Sequence, residues 1–240
     1  MTSQFRNIGL IGRVDSDLVR QSVQALVVLL QQRELTVVLE EETSKALDSH
    51  SLQVASRKLI GEVCDMVIVV GGDGSLLGAA RDLARHDVPV LGINRGKLGF
   101  LTDIAPEDIE TGVSCVLEGN YETETRFLLE TELKRAGAVV GQSDAFNDVV
   151  LHSGQAPKML SFELYIEGEF VYSQRSDGLI VSTPTGSTAY SLSGGGPIMH
   201  PRLNAIVLVP MFPHTLSSRP LVVDGNSEKK IIAVSYTHLT

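Results

Sequence analysis

Residues 71–75 read Gly-Gly-Asp-Gly-Ser, a lone carboxylate among three glycines where an apolar run ends and helical spacing begins. In an α/β sheet, ligands bind beyond the carboxyl ends of the strands, which is where this sequence places Asp73. Glycines there let the backbone approach a ligand and adopt positive φ, and a helix beginning near Ser75 offers free N–H groups to an anion. A carboxylate would repel a phosphate, so its task must differ: accepting a proton from a hydroxyl, or holding a magnesium ion. On residue type alone, an aspartate that merely shapes a turn serves equally well.

Two further groups of residues have chemical potential. Asn147-Asp148 places an amide beside a carboxylate just ahead of the apolar pair Val149-Val150, able to grip paired sugar hydroxyls or a base edge, or simply to form a polar loop entering a strand. Residues 173–197 carry Arg175 and Asp177, then an apolar run, then hydroxyl-rich residues 183–193 and three consecutive glycines. Small residues and hydroxyls at a strand end allow many hydrogen bonds to a polar ligand. A flexible linker is excluded, because Leu179, Ile180, Val181, Ala189, Tyr190 and Leu192 would not be left in one. The common phosphate motifs are missing. Between Gly92 and Lys97 lies one residue too few for a P-loop, and Gly9-Leu10-Ile11-Gly12 lacks the G-x-G start of the dinucleotide fingerprint. The six histidines have no metal-ligand spacing, so no zinc site is read, and His152 and His200 are taken as packing or loop residues. No Ser-His-Asp spacing supports a hydrolase.

The elements that must position these residues change character near residue 120. Before it, strands at 8–11, 35–39, 66–70 and 88–93 alternate with helical segments at 18–33, 52–63, 75–86 and 106–117, the last opened by proline. Such alternation predicts a parallel sheet with helices on both faces. After it the pattern is β-rich. Phe162, Leu164 and Ile166 alternate with polar neighbours, Glu167-Gly168-Glu169 reads as a hairpin turn into residues 170–172, and apolar strands follow at 178–182 and 205–209. The expected organisation is an α/β domain over residues 1–120 and a β-rich dinucleotide-binding domain over 121–240, with no repeat and no linker. The net charge of −9 argues against nucleic acid, and leaves an anionic substrate dependent on local basic residues or a metal. Cys64 and Cys115 lie in apolar-patterned segments and read as reduced, packed thiols. The N-terminus has no signal-peptide core, and the longest apolar stretch, residues 25–30, is too short to span a bilayer. A cytoplasmic enzyme without a membrane partner is expected.

Taken together, Gly71-Gly72-Asp73-Gly74, Gly92-Ile93-Asn94 with Gly99-Phe100-Leu101-Thr102, Asn147-Asp148, and Asp177-Gly178 with Thr183-Pro184-Thr185-Gly186-Ser187-Thr188-Ala189-Tyr190 resemble the NAD kinase family, its bacterial members in particular. The resemblance runs from about residue 5 to residue 225. It implies a two-domain fold, α/β then β-rich, and transfer of the ATP γ-phosphate to the 2′-hydroxyl of the adenosine ribose of NAD, forming NADP. By the same resemblance Asp73 accepts the hydroxyl proton, with Gly74 beside it, and Asn147 and Asp148 hold the nicotinamide-ribose end. Phe100, Thr185, Thr188, Ala189 and Tyr190 wall the adenosine pocket. Ser191, Leu192 and Ser193 continue that block, and Lys158, Arg175 and Asp177 match further dinucleotide-contacting positions. Magnesium would arrive with ATP rather than in a protein cage. Arg95 and Lys97 are read, from their charge alone, as triphosphate contacts.

The Gly-Gly-Asp-Gly element is shared with phosphofructokinases and diacylglycerol-type kinases, so a sugar or lipid kinase is the alternative enzyme. A nucleotide-binding sensor without catalysis is the alternative of another class. Residues 183–193 and Asn147-Asp148 favour the NAD kinase reading over the first, and the intact Asp73 over the second. Beyond about Ser227 the tail EKKIIAVSYTHLT departs from the family pattern, which implies a truncated or foreign C-terminus. Residues 226–240 are accordingly expected to pack poorly, and a homo-oligomer is expected only where the C-terminus is complete.

Overall fold

The computed structural model describes residues 5–13, 16–45, 47, 50–95, 101–102, 104–154, 159–215 and 218–234. The chain divides into two compact units, Met1–Thr123 and Glu124–Thr240. The pattern change read at residue 120 lies just before that division.

The first unit alternates strand and helix: β1 Asn7–Gly12, α1 Asp17–Gln32, β2 Thr36–Glu40, α2 Glu41–Ser44, β3 Gln53–Ala55, α3 Arg57–Val63, β4 Met66–Gly71, α4 Asp73–Leu83, β5 Val90–Asn94, a 3-10 turn Pro106–Asp108, and α5 Ile109–Leu117. The five strands form one parallel sheet in the order β3-β2-β1-β4-β5, as the alternation predicts. β4 shows why. Side chains alternate across a strand, so Met66, Ile68 and Val70 join Leu26 and Leu30 of α1 and Val113 and Leu117 of α5. Val67 and Val69 join Ile60 of α3 and Ala79 and Leu83 of α4 on the other face. A strand covered on both faces must be apolar throughout, and burying each such side chain stabilises the fold by about 1.5–3 kcal/mol.

Two expectations are corrected here. The helix read over 52–63 is instead the short edge strand β3 followed by α3, whose start is fixed by Ser56: its hydroxyl accepts the Leu59 N–H at 3.4 Å. Cys64 is buried, and burial with Asp65 alongside pushes its thiol up to about 11, which makes it inert. Cys115, however, is exposed. Ile109, Val113 and Leu117 take the core face of α5, and a residue two positions from Val113 is turned away by about 200°.

The second unit is antiparallel. It comprises β6 Leu129–Arg135, β7 Ala138–Ala145, β8 Asp148–His152, β9 Leu160–Ile166, β10 Glu169–Ser176, β11 Gly178–Ser182, a 3-10 turn Thr185–Thr188, α6 Tyr190–Ser193, β12 Ala205–Met211, β13 Leu221–Asp224 and β14 Lys229–Val234. The sheets are β6-β7, β10-β9-β14 and β13-β12-β11-β8. Phe162 and Leu164 of β9 pack with Leu179 and Val181 of β11 and Ile206 and Leu208 of β12. The alternate residues Ile180, Val207 and Val209 face Met199 instead. The β9–β10 turn is made by Glu167 and Gly168, both at positive φ, as a tight two-residue hairpin loop requires. Within the tail expected to pack poorly, β14 pairs with β9 from Lys229 to Val234 as an edge strand, with Ile231 partly buried against the core and Ile232 exposed. Among the described residues no helix is long and apolar enough to cross a membrane.

Candidate functional site

In the first unit the sheet order places β1 beside β4, with later strands running outward to either side. α1 covers one face and α4 the other, so the carboxyl ends of β1 and β4 form a topological switch point, the position where open α/β sheets bind ligands. Asp73 stands there. It is the first residue of α4, and Gly72 is the N-cap in an extended conformation (φ −94°, ψ −176°). Its Oδ1 accepts the Leu101 N–H at 3.2 Å, fastening the chain beyond β5 to the end of β4. The Arg95 N–H donates to the Gly71 carbonyl at 2.9 Å, and the Arg95 Nε donates to the Ser22 hydroxyl at 2.5 Å, so part of the guanidinium is engaged with α1. Phe100 and Lys97 lie outside the described residues, as does Lys158.

The glycines work differently from expectation, for none of Gly71, Gly72 and Gly74 has positive φ. A Cβ on Gly71 would collide with the Ser75 side chain, so that glycine lets the helix start close against the strand end. A Cβ on Gly74 would meet nothing within 4 Å. The fold itself therefore makes no demand for glycine at 74.

In the second unit the structure brings two distant constellations into contact. The Asn147 carbonyl receives the Thr183 N–H at 2.9 Å and the Ser182 and Thr183 hydroxyls at 3.2 Å. Thr183 Oγ1 also donates to the Phe146 carbonyl at 2.7 Å and accepts the Gly186 N–H at 3.0 Å. The 3-10 turn carrying Thr185 and Thr188 is thereby folded onto Asn147. Asn147 Oδ1 is buried with no partner among the described residues. Asp148 next to it is half-buried, and desolvation raises its carboxyl above the usual carboxylate range.

That shift predicts a pH dependence. The folded chain favours protonated Asp148, so its contribution to stability is present in acid and is lost as pH rises through the raised pKa. Asp148→Asn is expected to raise the melting temperature near neutral pH, with the gain vanishing on acidification; melts at about pH 4 and about pH 8 check this. A variant that is less stable at the higher pH would contradict the sign.

The remaining candidates separate. Tyr190, Leu192 and Ser193 are exposed, whereas Ser191 is wholly buried, its hydroxyl without a partner among the described residues and packed against Gly196. The Ser187 hydroxyl is structural, donating to the Pro184 carbonyl at 2.6 Å and accepting the Met199 N–H at 2.9 Å. Arg175 and Asp177 precede β11 while Thr183 follows it, roughly 20 Å apart along an extended strand. Within this unit they do not join the Asn147 cluster. Arg175 lines a separate depression of about 440 Å³ with Met159, Ser173, Gln174, His214 and Thr215. Its guanidinium has no ion pair among the described residues.

One residue was not legible in the sequence. Arg126, in the segment leading to β6, donates from one terminal nitrogen to the Thr185 hydroxyl at 3.0 Å and from the other to Glu124 at 2.8 Å. No spacing announces a contact across 59 positions. Among the described residues no three His, Cys, Asp or Glu side chains form a metal cage.

The family model of the ATP-NAD kinase N-terminal domain matches residues 8–121, and that of the ATP-NAD kinase C-terminal domain matches residues 146–239. The second match continues past Ser227 to residue 239, which corrects the expected departure of the tail from the family pattern. The chain is 65% identical over 229 residues to a curated NAD kinase of Ectopseudomonas mendocina, covering 95% of this chain and 78% of that protein. It is 65% identical over 228 residues to one of Pseudomonas fluorescens, covering 95% and 77%. Among solved structures it is similar to yeast NADH kinase complexed with NADH, with a TM-score of 0.87, 28% identity, and coverage of 96% of this chain and 72% of that one. It is also similar to an NAD kinase from Archaeoglobus fulgidus in complex with ATP, with a TM-score of 0.75, 29% identity, and coverage of 95% and 80%.

Proposed function

The chain belongs to the NAD kinase family and phosphorylates NAD with ATP, and from that premise we propose how its residues divide the work. Asp73 accepts the proton of the 2′-hydroxyl on the adenosine ribose. The freed oxygen forms its bond to the γ-phosphorus as the bond from that phosphorus to the β-phosphate oxygen breaks, and NADP and ADP result. Phosphoryl transfer needs positioning and charge neutralisation more than covalent help, so one well-placed carboxylate suffices on the acceptor side. Magnesium enters with ATP as part of the donor.

The observation that carries the reading is the position of Asp73 at the switch point, tied by its Leu101 contact. Gly74 supports it: a glycine with open space where its side chain would be, one residue past the carboxylate, suits a ligand that approaches the backbone closely.

In the second unit, Asn147 and Asp148 present acceptors. A buried polar atom without a partner costs about 1–3 kcal/mol, which hydrogen bonds from ribose hydroxyls or an amide would recover. Thr185, Thr188, Ala189 and Tyr190 take the adenosine half. Arg175 and Asp177 belong to the dinucleotide-contacting set by resemblance to the family.

The test is acceptor identity. Purified protein with Mg-ATP is expected to convert NAD to NADP and to leave fructose 6-phosphate and diacylglycerol unphosphorylated. Turnover of either of those without NADP formation would overturn the reading.

A further inference from the structure

Resting on the reading of Thr185 as a dinucleotide contact, we propose that Arg126 is a positioning residue for NAD: it fixes the polarity of the Thr185 hydroxyl, so that Thr185 donates to an acceptor atom, a ring nitrogen or an oxygen, of the adenosine half.

A guanidinium has donors only, whereas a threonine hydroxyl has one proton and two lone pairs. At the 3.0 Å contact between them, Thr185 Oγ1 must therefore accept. Its own proton is left to donate, and among the described residues it has no acceptor. The Thr185 carbonyl is already taken by the Thr188 hydroxyl at 3.3 Å.

The contact is shielded. The Arg126 side chain is 19% exposed and Thr185 is 8% exposed, so water competes poorly for either bond. A cationic donor on one lone pair polarises the hydroxyl and strengthens its O–H as a donor. The charge of Arg126 is offset by Glu124 at 2.8 Å, which makes general attraction for phosphate a minor role and leaves direction as the major one. Only arginine does this well. Its planar fork bonds Glu124 and Thr185 from separate nitrogens, whereas a lysine ammonium is a single point on a flexible stem.

The experiment measures the KM for NAD and kcat at saturating Mg-ATP for Arg126→Gln, Arg126→Lys, Thr185→Val, Thr185→Ser and the double variant Arg126→Gln/Thr185→Val, each with a thermal melt. Arg126→Gln and Thr185→Val are each expected to raise the KM for NAD about tenfold with kcat within about twofold, the size of one lost hydrogen bond. The double variant should be no worse than Thr185→Val alone, because the two residues act as one unit. Thr185→Ser, which keeps the hydroxyl, should restore a near-normal KM.

Additive effects in the double variant, or an unchanged KM in Arg126→Gln, would overturn the proposal while leaving Thr185 as a contact. An unchanged KM in folded Thr185→Val would overturn the proposal and the reading of Thr185 together. Should Arg126→Gln not fold, Arg126→Lys carries the same test, with a raised KM expected and an unchanged one against the proposal.

Discussion

Replacing Asp73 with asparagine is expected to lower kcat by about 10²- to 10⁴-fold while NAD still binds. The substitution is close to isosteric. The asparagine carbonyl oxygen can accept the Leu101 N–H as Asp73 Oδ1 does, so the chain beyond β5 remains fastened to the start of α4. What disappears is the group able to receive the ribose proton as the hydroxyl attacks. The loss should fall on kcat and on kcat/KM alike, the pattern of an interaction made only in the transition state. Initial rates of NADP formation, with a separate titration of NAD binding, check both halves. A variant with near-normal kcat would return Asp73 to the role that residue type alone allows, a turn-shaping aspartate.

The first unit is readable from sequence because a strand covered on both faces has to be apolar at every position, as β4 is. β3 escaped because three residues at a sheet edge carry too little periodicity to separate from the helix that follows. β6 and β7 escaped for a different reason: nearly all of their residues are exposed or half-exposed, so no alternation marks them. Asp73 stood out because the glycines around it are a local signal. The junction between Asn147 and the Thr183–Gly186 turn left no such trace, since its partners lie more than 30 positions apart and meet through backbone atoms that every residue possesses. Arg126 is the extreme of this. An arginine following Glu124 reads as a solvated charge until the fold brings it against Thr185.

The same junction yields the second large effect. Gly186 is not at positive φ, so it is not a glycine for reasons of backbone freedom. It is a glycine for space. A Cβ there would lie 2.1 Å from the Asn147 carbonyl oxygen, 2.4 Å from its carbonyl carbon and 2.6 Å from the Ser182 hydroxyl. Two of those three obstacles are backbone atoms at the entry to β8, which cannot swing aside as the end of a long side chain would. Gly186→Ala must therefore lift the turn from Asn147, weakening the Gly186 N–H bond to Thr183 and the Thr183 bonds to Phe146 and Asn147. Overpacking of this kind costs about 1–3 kcal/mol, and each weakened hydrogen bond adds about 0.5–1.5 kcal/mol. For a chain of this size that corresponds to a fall in melting temperature of roughly 5–30 °C. Because the turn carries Thr185 and Thr188 while Asn147 carries the buried Oδ1, NAD affinity is expected to fall by more than about tenfold at temperatures where the variant is still folded. Gly141→Ala is the matched control: its Cβ would find Leu133 no nearer than 3.7 Å, an ordinary contact, and both stability and affinity should be unchanged. If Gly186→Ala melted with the unmodified protein and bound NAD normally, the turn would not depend on its seat against Asn147, and the two constellations would be neighbours without being coupled.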